Sequence, residues 1–158
     1  KAATSKLKAI QEFPKPKTMK QLKGFVALCS YYRRFVKDFS KIASPLTRAT
    51  RVQPHQLVWT SAMDTAFEAL KKTLKTPPVL AYPQIGQRYT LECDGSKLGL
   101  GCTLSQVQDD GQLHPVAYGS RATSRTEENY SPTDLEACAV IFGLESQSIA
   151  LAHQLHSP

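Results

Sequence analysis

The stretch Tyr89–Gln106, YTLECDGSKLGLGCTLSQ, decides how this chain folds. Apolar and polar residues alternate over Tyr89–Asp94 and Gly101–Gln106, and this period of two predicts two β-strands. A third strand is predicted over Leu113–Tyr118, and the Asp110-Gly111 pair before it is typical of a hairpin turn. The pattern therefore predicts a three-strand antiparallel meander.

A helix is predicted after the meander. Ser131 is a suitable N-cap, and Pro132 takes the first helical position, where its missing N–H costs no hydrogen bond. Residues Leu135–Leu144 are apolar nearly all round, so we expect this helix to be buried. The C-terminal half is therefore predicted to be an α/β unit with three strands and one buried helix.

The residues before the meander predict helices. Thr18 and Gln21 form a capping-box pattern, and apolar residues then recur at helical spacing from Leu22 to Val36. A second helix is predicted from the capping pattern of Ser61 and Asp64 up to the pair Pro77-Pro78. The N-terminal half is therefore predicted to be helical.

Prolines and polar residues predict the segments between these helices. Pro14 and Pro16 predict an extended lead-in over Ala9–Lys17. Pro45 limits the segment Phe39–Thr47 to a short helix or turn, and the polar stretch Thr50–Leu57 predicts a surface loop.

Charge divides the chain of 158 residues into two parts. Residues 1–88 hold 17 Lys and Arg against 4 Asp and Glu, whereas residues 89–158 hold 3 against 9, so net charges of +13 and −6 make up the total of +7. We expect a helical segment over residues 1–50, a helix and linker over 51–88, and an α/β unit over 89–158.

Composition excludes several classes of protein. With 41% hydrophobic and 21% charged residues, the chain is neither collagen-like nor wholly disordered. It has no apolar run long enough for a membrane span and no signal-peptide core. Its four cysteines lack metal-site spacing, so we expect an intracellular protein, cytoplasmic or nuclear, that is not secreted.

The basic part has two interpretations. One is a solvated helix face, and the other is a surface that follows nucleic-acid phosphates, which the interleaved aromatic residues of Tyr31–Phe35 favour. Tyr32 and Phe35 fit a core position better than base stacking. The candidate nucleic-acid-binding residues are Lys20, Lys23, Arg33, Arg34 and Lys37.

Two carboxylates are candidates for a catalytic metal site. Asp94 ends an apolar strand and Glu136 lies near the start of the last helix, and such oxygen ligands suit Mg²⁺ in phosphoryl transfer. On spacing alone, a turn-forming role for Asp94 and a helix-dipole role for Glu136 are favoured over a metal site.

Six collinear stretches resemble the pol polyprotein of gypsy-type long-terminal-repeat retroelements. They are KAIQEFPKP at residues 8–16, TMKQLKGFVALCSYYRRFVKDFSKIASP at 18–45, VWTSAMDTAFEALKKTLKTPPVLAYP at 58–83, LECDGSKLGLGCTLSQ at 91–106, HPVAYGSR at 114–121 and EENYSPTDLEACA at 127–139. The resemblance implies the thumb and connection of a reverse transcriptase, followed by an RNase H-like domain.

The resemblance also implies roles for the two carboxylates. Asp94 matches the first catalytic aspartate of RNase H, in Cys93-Asp94-Gly95-Ser96 where the family usually has T-D-A-S. Glu136 matches the catalytic glutamate of the E-x-E-A helix motif. Both would be ligands of Mg²⁺, or of Mn²⁺ in its place, for cleaving the RNA strand of an RNA–DNA hybrid, while the basic residues would support the duplex.

The chain departs from the family pattern in ways that bear on activity. No aspartate follows Asp134, although the family uses two further catalytic aspartates, and residues 146–158 do not resemble the family. The polymerase palm lies outside this sequence. We therefore expect an incomplete RNase H-like domain that is inactive alone. An alternative is a domesticated, non-catalytic module that binds nucleic acid or a partner.

One structural consequence follows from the same resemblance. Without the fourth strand of the RNase H fold, Tyr89–Asp94 becomes an exposed sheet edge. Exposed edges offer unpaired backbone groups to other chains, so we expect the isolated chain either to be only partly stable or to self-associate through this strand.

Overall fold

The computed structural model describes residues 2–52, 56–76 and 79–155, and within them a helical layer precedes a three-strand antiparallel sheet and a last helix. The helices and strands in chain order are α1 (Ala2–Gln11), α2 (Met19–Ser30), α3 (Phe39–Val52), α4 (Ser61–Lys75), β1 (Tyr89–Ser96), β2 (Gly99–Val107), β3 (Leu113–Arg121) and α5 (Pro132–Leu155). Single turns of 3₁₀ helix lie at Arg33–Phe35 and Glu127–Asn129. The predicted mixed α/β fold with a helical N-terminal part is confirmed.

Helix α2 begins at the predicted capping box. The hydroxyl of Thr18 accepts from the Gln21 backbone N–H at 3.2 Å, and the Gln21 side chain accepts from the Thr18 N–H at 3.3 Å. Leu22, Phe25 and Cys29 are fully buried, so the predicted apolar stripe faces the core.

Four helix boundaries differ from the predictions. Helix α2 ends at Ser30, six residues before the end of the predicted helical stripe at Val36, and a 3₁₀ turn at Arg33–Phe35 follows it. Helix α1 includes Ala9–Gln11, so the extended lead-in begins only after Gln11. Helix α3 continues through Pro45 to Val52, because proline removes a single backbone donor while buried Leu46 and Ala49 hold the following turns against the core. The N-cap of α4 is Thr60 rather than Ser61, and its hydroxyl accepts from the Met63 N–H at 3.3 Å.

Parts of two predictions lie outside the described residues. The predicted loop over Thr50–Leu57 begins as helix up to Val52, and residues 53–55 are outside the description. Helix α4 ends at Lys75, and the two prolines predicted to end it are also outside. Residues 156–158 beyond α5 are outside as well.

The four N-terminal helices share one apolar core. At its centre the ring of Phe25 lies 5.3 Å from that of Phe13 and 4.6 Å from that of Phe67, and the Trp59 indole meets Phe67 edge-on at 5.8 Å. Buried residues from α1, α2, α3 and α4 belong to the same cluster. Helix α3 also crosses residue 50, where the sequence predicts a segment boundary.

The sheet follows the predicted meander. Its order is β1-β2-β3, with Asp94 opposite Gly101 and Gly101 opposite Ser120. The β2–β3 hairpin turns at Gly111, whose φ of +73° is a conformation that glycine adopts without strain. Among the described strands, β1 lies at an edge, as predicted.

The two faces of the sheet meet different helices. On one face, Cys93 and Cys102 lie so close to α5 that a Cβ built at Gly143 would be 2.7 Å from the Cys93 Sγ. On the other face, the start of α3 contacts β2 and β3, and the Ser40 N–H donates to the Ser120 Oγ at 3.2 Å. The sheet therefore lies between α5 and the helical layer.

Helix α5 is less buried than predicted. Leu135 and Ala139 are buried against the sheet, but Val140, Ile141 and Leu144 are 47%, 58% and 56% exposed. Within the described residues, only one side of α5 meets the sheet, so the apolar residues on its other side face solvent. The prediction of a buried helix is wrong for that side.

None of the helices within the described ranges combines the length and the apolar character needed to cross a membrane.

Candidate active site and basic surface

The structure brings the segments of the two predicted catalytic residues together. Asp94 lies near the end of β1 and Glu136 in the second turn of α5. A Cβ built at Gly95 would lie 2.2 Å from the Leu135 carbonyl oxygen and 3.1 Å from the Glu136 backbone nitrogen. The backbone of Gly95, which follows Asp94, therefore lies against the backbone of Leu135, which precedes Glu136. Asp94 and Glu136 themselves are exposed.

A lysine that the sequence did not indicate is bound to Asp94. The Nζ of Lys41, on the first turn of α3, forms an ion pair with the Oδ2 of Asp94 and lies 3.5 Å from the Oδ1 of Asp38. Burial lowers the pKa of Lys41, but the hydrogen bonds and charges of Asp94 and Asp38 outweigh it, so the pKa lies above its ordinary value. The ammonium therefore stays charged between two carboxylates.

Local backbone geometry places Asp38 at this site. Asp38 directly precedes α3 and has a φ of +54°, a left-handed conformation that aspartate tolerates better than most residues. Its Oδ1 would lie only 2.5 Å from a Cβ at Gly101, the residue opposite Asp94 in the sheet. Gly101 thus leaves room for Asp38, and the glycine-rich run in β2 is the sequence signal for this close approach.

The carboxylates do not fit a metal site as they stand. Over the described ranges, no three His, Cys, Asp or Glu side chains are grouped so that they could hold a metal ion. Asp94 already neutralises Lys41, and Glu136 is the one other carboxylate that the family pattern assigns here. A divalent ion would need further oxygen ligands and would compete with an ammonium for the Asp94 oxygen.

The predicted nucleic-acid-binding residues lie on the surface of the helical layer. Lys20 and Lys23 are exposed on α2, three residues apart and thus on neighbouring positions of its outer side. Arg34 and Lys37 are exposed beyond α2, with the Arg34 guanidinium 4.7 Å from the Phe35 ring centre. Tyr32 is 4% exposed, which confirms its interpretation as a core residue.

Arg33, the fifth of these residues, joins the helical layer to the sheet. Its guanidinium donates to the Ser40 Oγ at 3.1 Å and to the Ser120 backbone oxygen on β3. Burial lowers the pKa of Arg33 from its ordinary value. Two ion pairs cross the same boundary, Lys41 with Asp94 and Arg48 with Glu128 at 3.0 Å.

Comparisons with known sequences identify one family of proteins. Residues 59–155 match the family described as the RNase H-like domain found in reverse transcriptase, so the expectation that the chain departs from the family at residue 146 is wrong up to residue 155. The chain is 38% identical over 156 residues to the retrovirus-related Pol polyprotein from transposon opus of Drosophila melanogaster, covering 92% of this chain and 16% of the relative. It is also 38% identical over 136 residues to that of transposon 412 from the same species, covering 85% and 11%.

A more distant relative is the transposon Tf2-3 polyprotein of Schizosaccharomyces pombe, 32% identical over 136 residues, covering 86% of this chain and 10% of the relative. The chain therefore spans 16% or less of the length of these curated relatives.

Two solved structures share the fold. The foamy viral protease-reverse transcriptase dRH in complex with double-stranded DNA matches with a TM-score of 0.74 and 22% identity, covering 98% of this chain and 26% of that one. The foamy viral protease-reverse transcriptase in complex with an RNA/DNA hybrid matches with a TM-score of 0.73 and 22% identity, covering 98% and 20%.

Proposed function

Because this chain belongs to the RNase H-like domain family found in reverse transcriptases, we propose that it is a segment of a retroelement polyprotein that supports an RNA–DNA hybrid. The whole polyprotein would carry out RNA-directed DNA synthesis and hydrolyse the RNA strand of the hybrid. The segment itself would hold the duplex by contacts to its phosphates. Two foamy viral enzymes of the same fold are complexes with double-stranded DNA and an RNA/DNA hybrid, which supports this choice of ligand.

One observation carries the proposal: the helical layer presents cations that no acidic side chain neutralises. Lys20, Lys23, Arg34 and Lys37 are exposed, and within the described ranges none of them has a carboxylate within salt-bridge distance. Exposed cations of this kind bind phosphates and release condensed counterions, which gives affinity without reading base sequence.

The test is the salt dependence of binding. Fluorescence anisotropy with a labelled RNA–DNA hybrid, repeated at several KCl concentrations, gives the slope of log affinity against log salt. We expect K20Q/K23Q to lower that slope by about two, because each phosphate contact contributes about 0.9 for a duplex. The matched control K72Q/K75Q removes two exposed lysines at the same spacing from α4 and should leave the slope unchanged.

Equal slopes for the K20Q/K23Q and K72Q/K75Q variants would show that binding follows net charge alone, and would overturn the assignment of this surface.

We further propose that Asp94 and Glu136 serve catalysis, with Mg²⁺ or Mn²⁺ as their metal, only in the whole polyprotein. The chain alone would bind the hybrid without cleaving it, since its carboxylates do not form a metal site by themselves. The assay is incubation of a labelled hybrid with Mg²⁺ or Mn²⁺, beside an Asp94→Asn control. Metal-dependent cleavage that this variant loses would contradict the proposal.

The Lys41–Asp94 pair favours a second candidate function, a non-catalytic module that binds nucleic acid. In such a module the ion pair is structural, and Asp94 has no metal to hold. The two candidates differ in a polyprotein that includes this segment: Asp94→Asn abolishes hybrid cleavage if Asp94 is catalytic and leaves it unchanged if the segment only binds.

A further inference from the structure

A cleft of about 330 Å³ lies between α3 and the end of β3, apart from the Asp94–Glu136 site. Its walls come from α2, α3, the β1–β2 connection and the segment after β3. Its charged lining consists of four arginines and one glutamate, Arg33, Arg48, Arg51, Arg121 and Glu128. The cleft is large enough for a small polar ligand, and its charged residues are mostly cationic.

Helix α3 gives the cleft a regular row of donors. Ser44, Thr47, Arg48 and Arg51 are spaced three, one and three residues apart, so they lie on one side of the helix and all line the cleft. Ser44 is 6% exposed, whereas Arg51 is exposed at the last turn. The row therefore runs from a buried hydroxyl to a cation that solvent can reach.

The acidic side chains near the cleft neutralise half of its arginines. Arg121 donates two hydrogen bonds to Glu127 at 2.8 and 2.7 Å, and Arg48 pairs with Glu128 at 3.0 Å. Arg33 donates to neutral oxygens, and in the described part of the chain neither Arg33 nor Arg51 has a carboxylate within salt-bridge distance.

The guanidinium groups of Arg33 and Arg51 thus have no carboxylate partner among the described residues. The hydroxyl groups of Ser44 and Thr47 line the same cleft. Arg33 is exposed, although contacts around its guanidinium lower its pKa by partial burial, and a bound anion would stabilise this charge. Guanidinium groups donate planar pairs of hydrogen bonds that match the oxygens of phosphate, and hydroxyl groups complete such sites.

We propose that this cleft binds a phosphate group, with Arg51 and Arg33 as the principal donors and the hydroxyls of Ser44 and Thr47 beside them. The phosphate belongs either to a nucleic-acid strand that crosses the boundary between the helical layer and the sheet or to a small phosphorylated molecule. The site goes beyond the hybrid-binding surface, because it shares only Arg33 with the residues assigned there.

The experiment is isothermal titration of the full chain with sodium pyrophosphate. We expect saturable binding that Arg51→Gln weakens about tenfold, since it removes a charge-assisted pair of hydrogen bonds. Arg88→Gln, which removes an exposed arginine before β1 and away from the cleft, is the matched control and should bind as the unchanged chain does. Glu128→Gln should bind pyrophosphate several-fold more tightly, because it releases Arg48.

Absence of saturable binding, or equal weakening by Arg51→Gln and Arg88→Gln, would overturn the proposal. A second arm distinguishes the two sources of phosphate: pyrophosphate is titrated against a labelled oligonucleotide bound to the chain. Displacement assigns the cleft to a strand phosphate, and pyrophosphate binding without displacement assigns it to a small molecule. The K20Q/K23Q variant leaves the cleft intact, so failure of the hybrid-binding surface and failure of this site give different results.

Discussion

The helical layer and the sheet with α5 are held together in different ways. Sixteen buried apolar residues from α1 to α4 and their connections form one cluster in the layer, whereas the cluster between the sheet and α5 has three, Leu100, Leu135 and Ala139. The sheet is joined to the layer by polar contacts, among them Arg33 with Ser120 and Lys41 with Asp94. Part of the opposite charge of the two regions therefore lies in ion pairs that dock one region onto the other.

The largest expected effect comes from the core of the helical layer. Phe25 is fully buried between the rings of Phe13 and Phe67, so Phe25→Ala should lower the free energy of unfolding by about 3–5 kcal/mol. Leu135→Ala, in the smaller cluster, should cost about 2–3 kcal/mol, near the low end for leucine, because exposed neighbours on α5 can close around the cavity. Urea denaturation measures both.

A larger loss for Leu135→Ala than for Phe25→Ala would contradict the view that the helical layer holds the main core.

A close backbone contact gives the next effect. Gly95→Ala should cost about 1–3 kcal/mol, because a Cβ there lies 2.2 Å from the Leu135 carbonyl oxygen and must push α5 away from β1. The matched substitution Gly24→Ala lies inside α2 with no atom within 4 Å of the added Cβ. It should raise stability by about 0.5–1 kcal/mol, the usual gain of alanine over glycine in a helix.

Thermal denaturation of both glycine variants would decide this prediction. If Gly95→Ala is as stable as the unchanged chain, β1 and α5 do not touch as closely as the structure places them.

Acid should weaken the sheet region through Glu127. Hydrogen bonds from Arg121 and from the Ser124 backbone hold the pKa of Glu127 at about 2. Because the folded pKa lies below the ordinary value of about 4.5, this stabilisation is present above pH ~4.5 and is lost as the pH falls toward 2. Glu127→Gln should lower the free energy of unfolding by about 1 kcal/mol at neutral pH. The variant should then lose less stability than the unchanged chain as the pH falls.

Urea midpoints measured between neutral pH and pH ~2.5 test this dependence. Glu68→Gln, an exposed glutamate of α4, is the control and should follow the curve of the unchanged chain. If the pH dependence of Glu127→Gln runs parallel to that of the unchanged chain, the loss of stability in acid does not come from the Glu127–Arg121 pair.

The ion pair between the two regions should give a smaller effect. A double-mutant cycle with Lys41→Met and Asp94→Asn should yield a coupling free energy of about 0.5–1 kcal/mol, because the lysine is partly buried while the aspartate is 69% exposed. The matched cycle on Lys8 of α1 and Glu12 directly after it, an exposed pair at 3.7 Å, should yield about 0.3 kcal/mol. Equal couplings would mean that the pair adds nothing to docking.

Local features of the sequence predicted most of the fold. The capping box of Thr18 and Gln21, the hairpin turn at Gly111 and the Ser131-Pro132 helix start each depend on residues a few positions apart. The predictions from sequence are wrong where tertiary contacts determine the local structure. Pro45 is an example, since it lies inside α3 because the neighbouring turns are buried.

The candidate site was predictable only in part. The family motif assigns Asp94 and Glu136 to one site, and the backbone contact at Gly95 brings β1 against the start of α5. The partner of Asp94 was not predictable, because Lys41 lies 53 residues away and no periodic pattern connects them. Pairings of this kind depend on how one layer docks onto another, which no local signal records.

The smallest expected effect on stability concerns the edge of the sheet. Within the described strands β1 has a partner on one side only, so its other side offers backbone donors and acceptors to a second chain. We expect the chain to show a mass above that of a monomer as its concentration rises, measured by size-exclusion chromatography with light scattering.

Thr90→Lys should return the chain to a monomer, because a lysine on an edge strand opposes pairing. The same substitution should change the free energy of unfolding by about 0.5 kcal/mol or less. Thr65→Lys, at an exposed position of α4, is the control and should associate as the unchanged chain does. A strictly monomeric chain at every concentration would show that β1 is protected by its own twist and charge, and association that survives Thr90→Lys would move the contact to the exposed apolar side of α5.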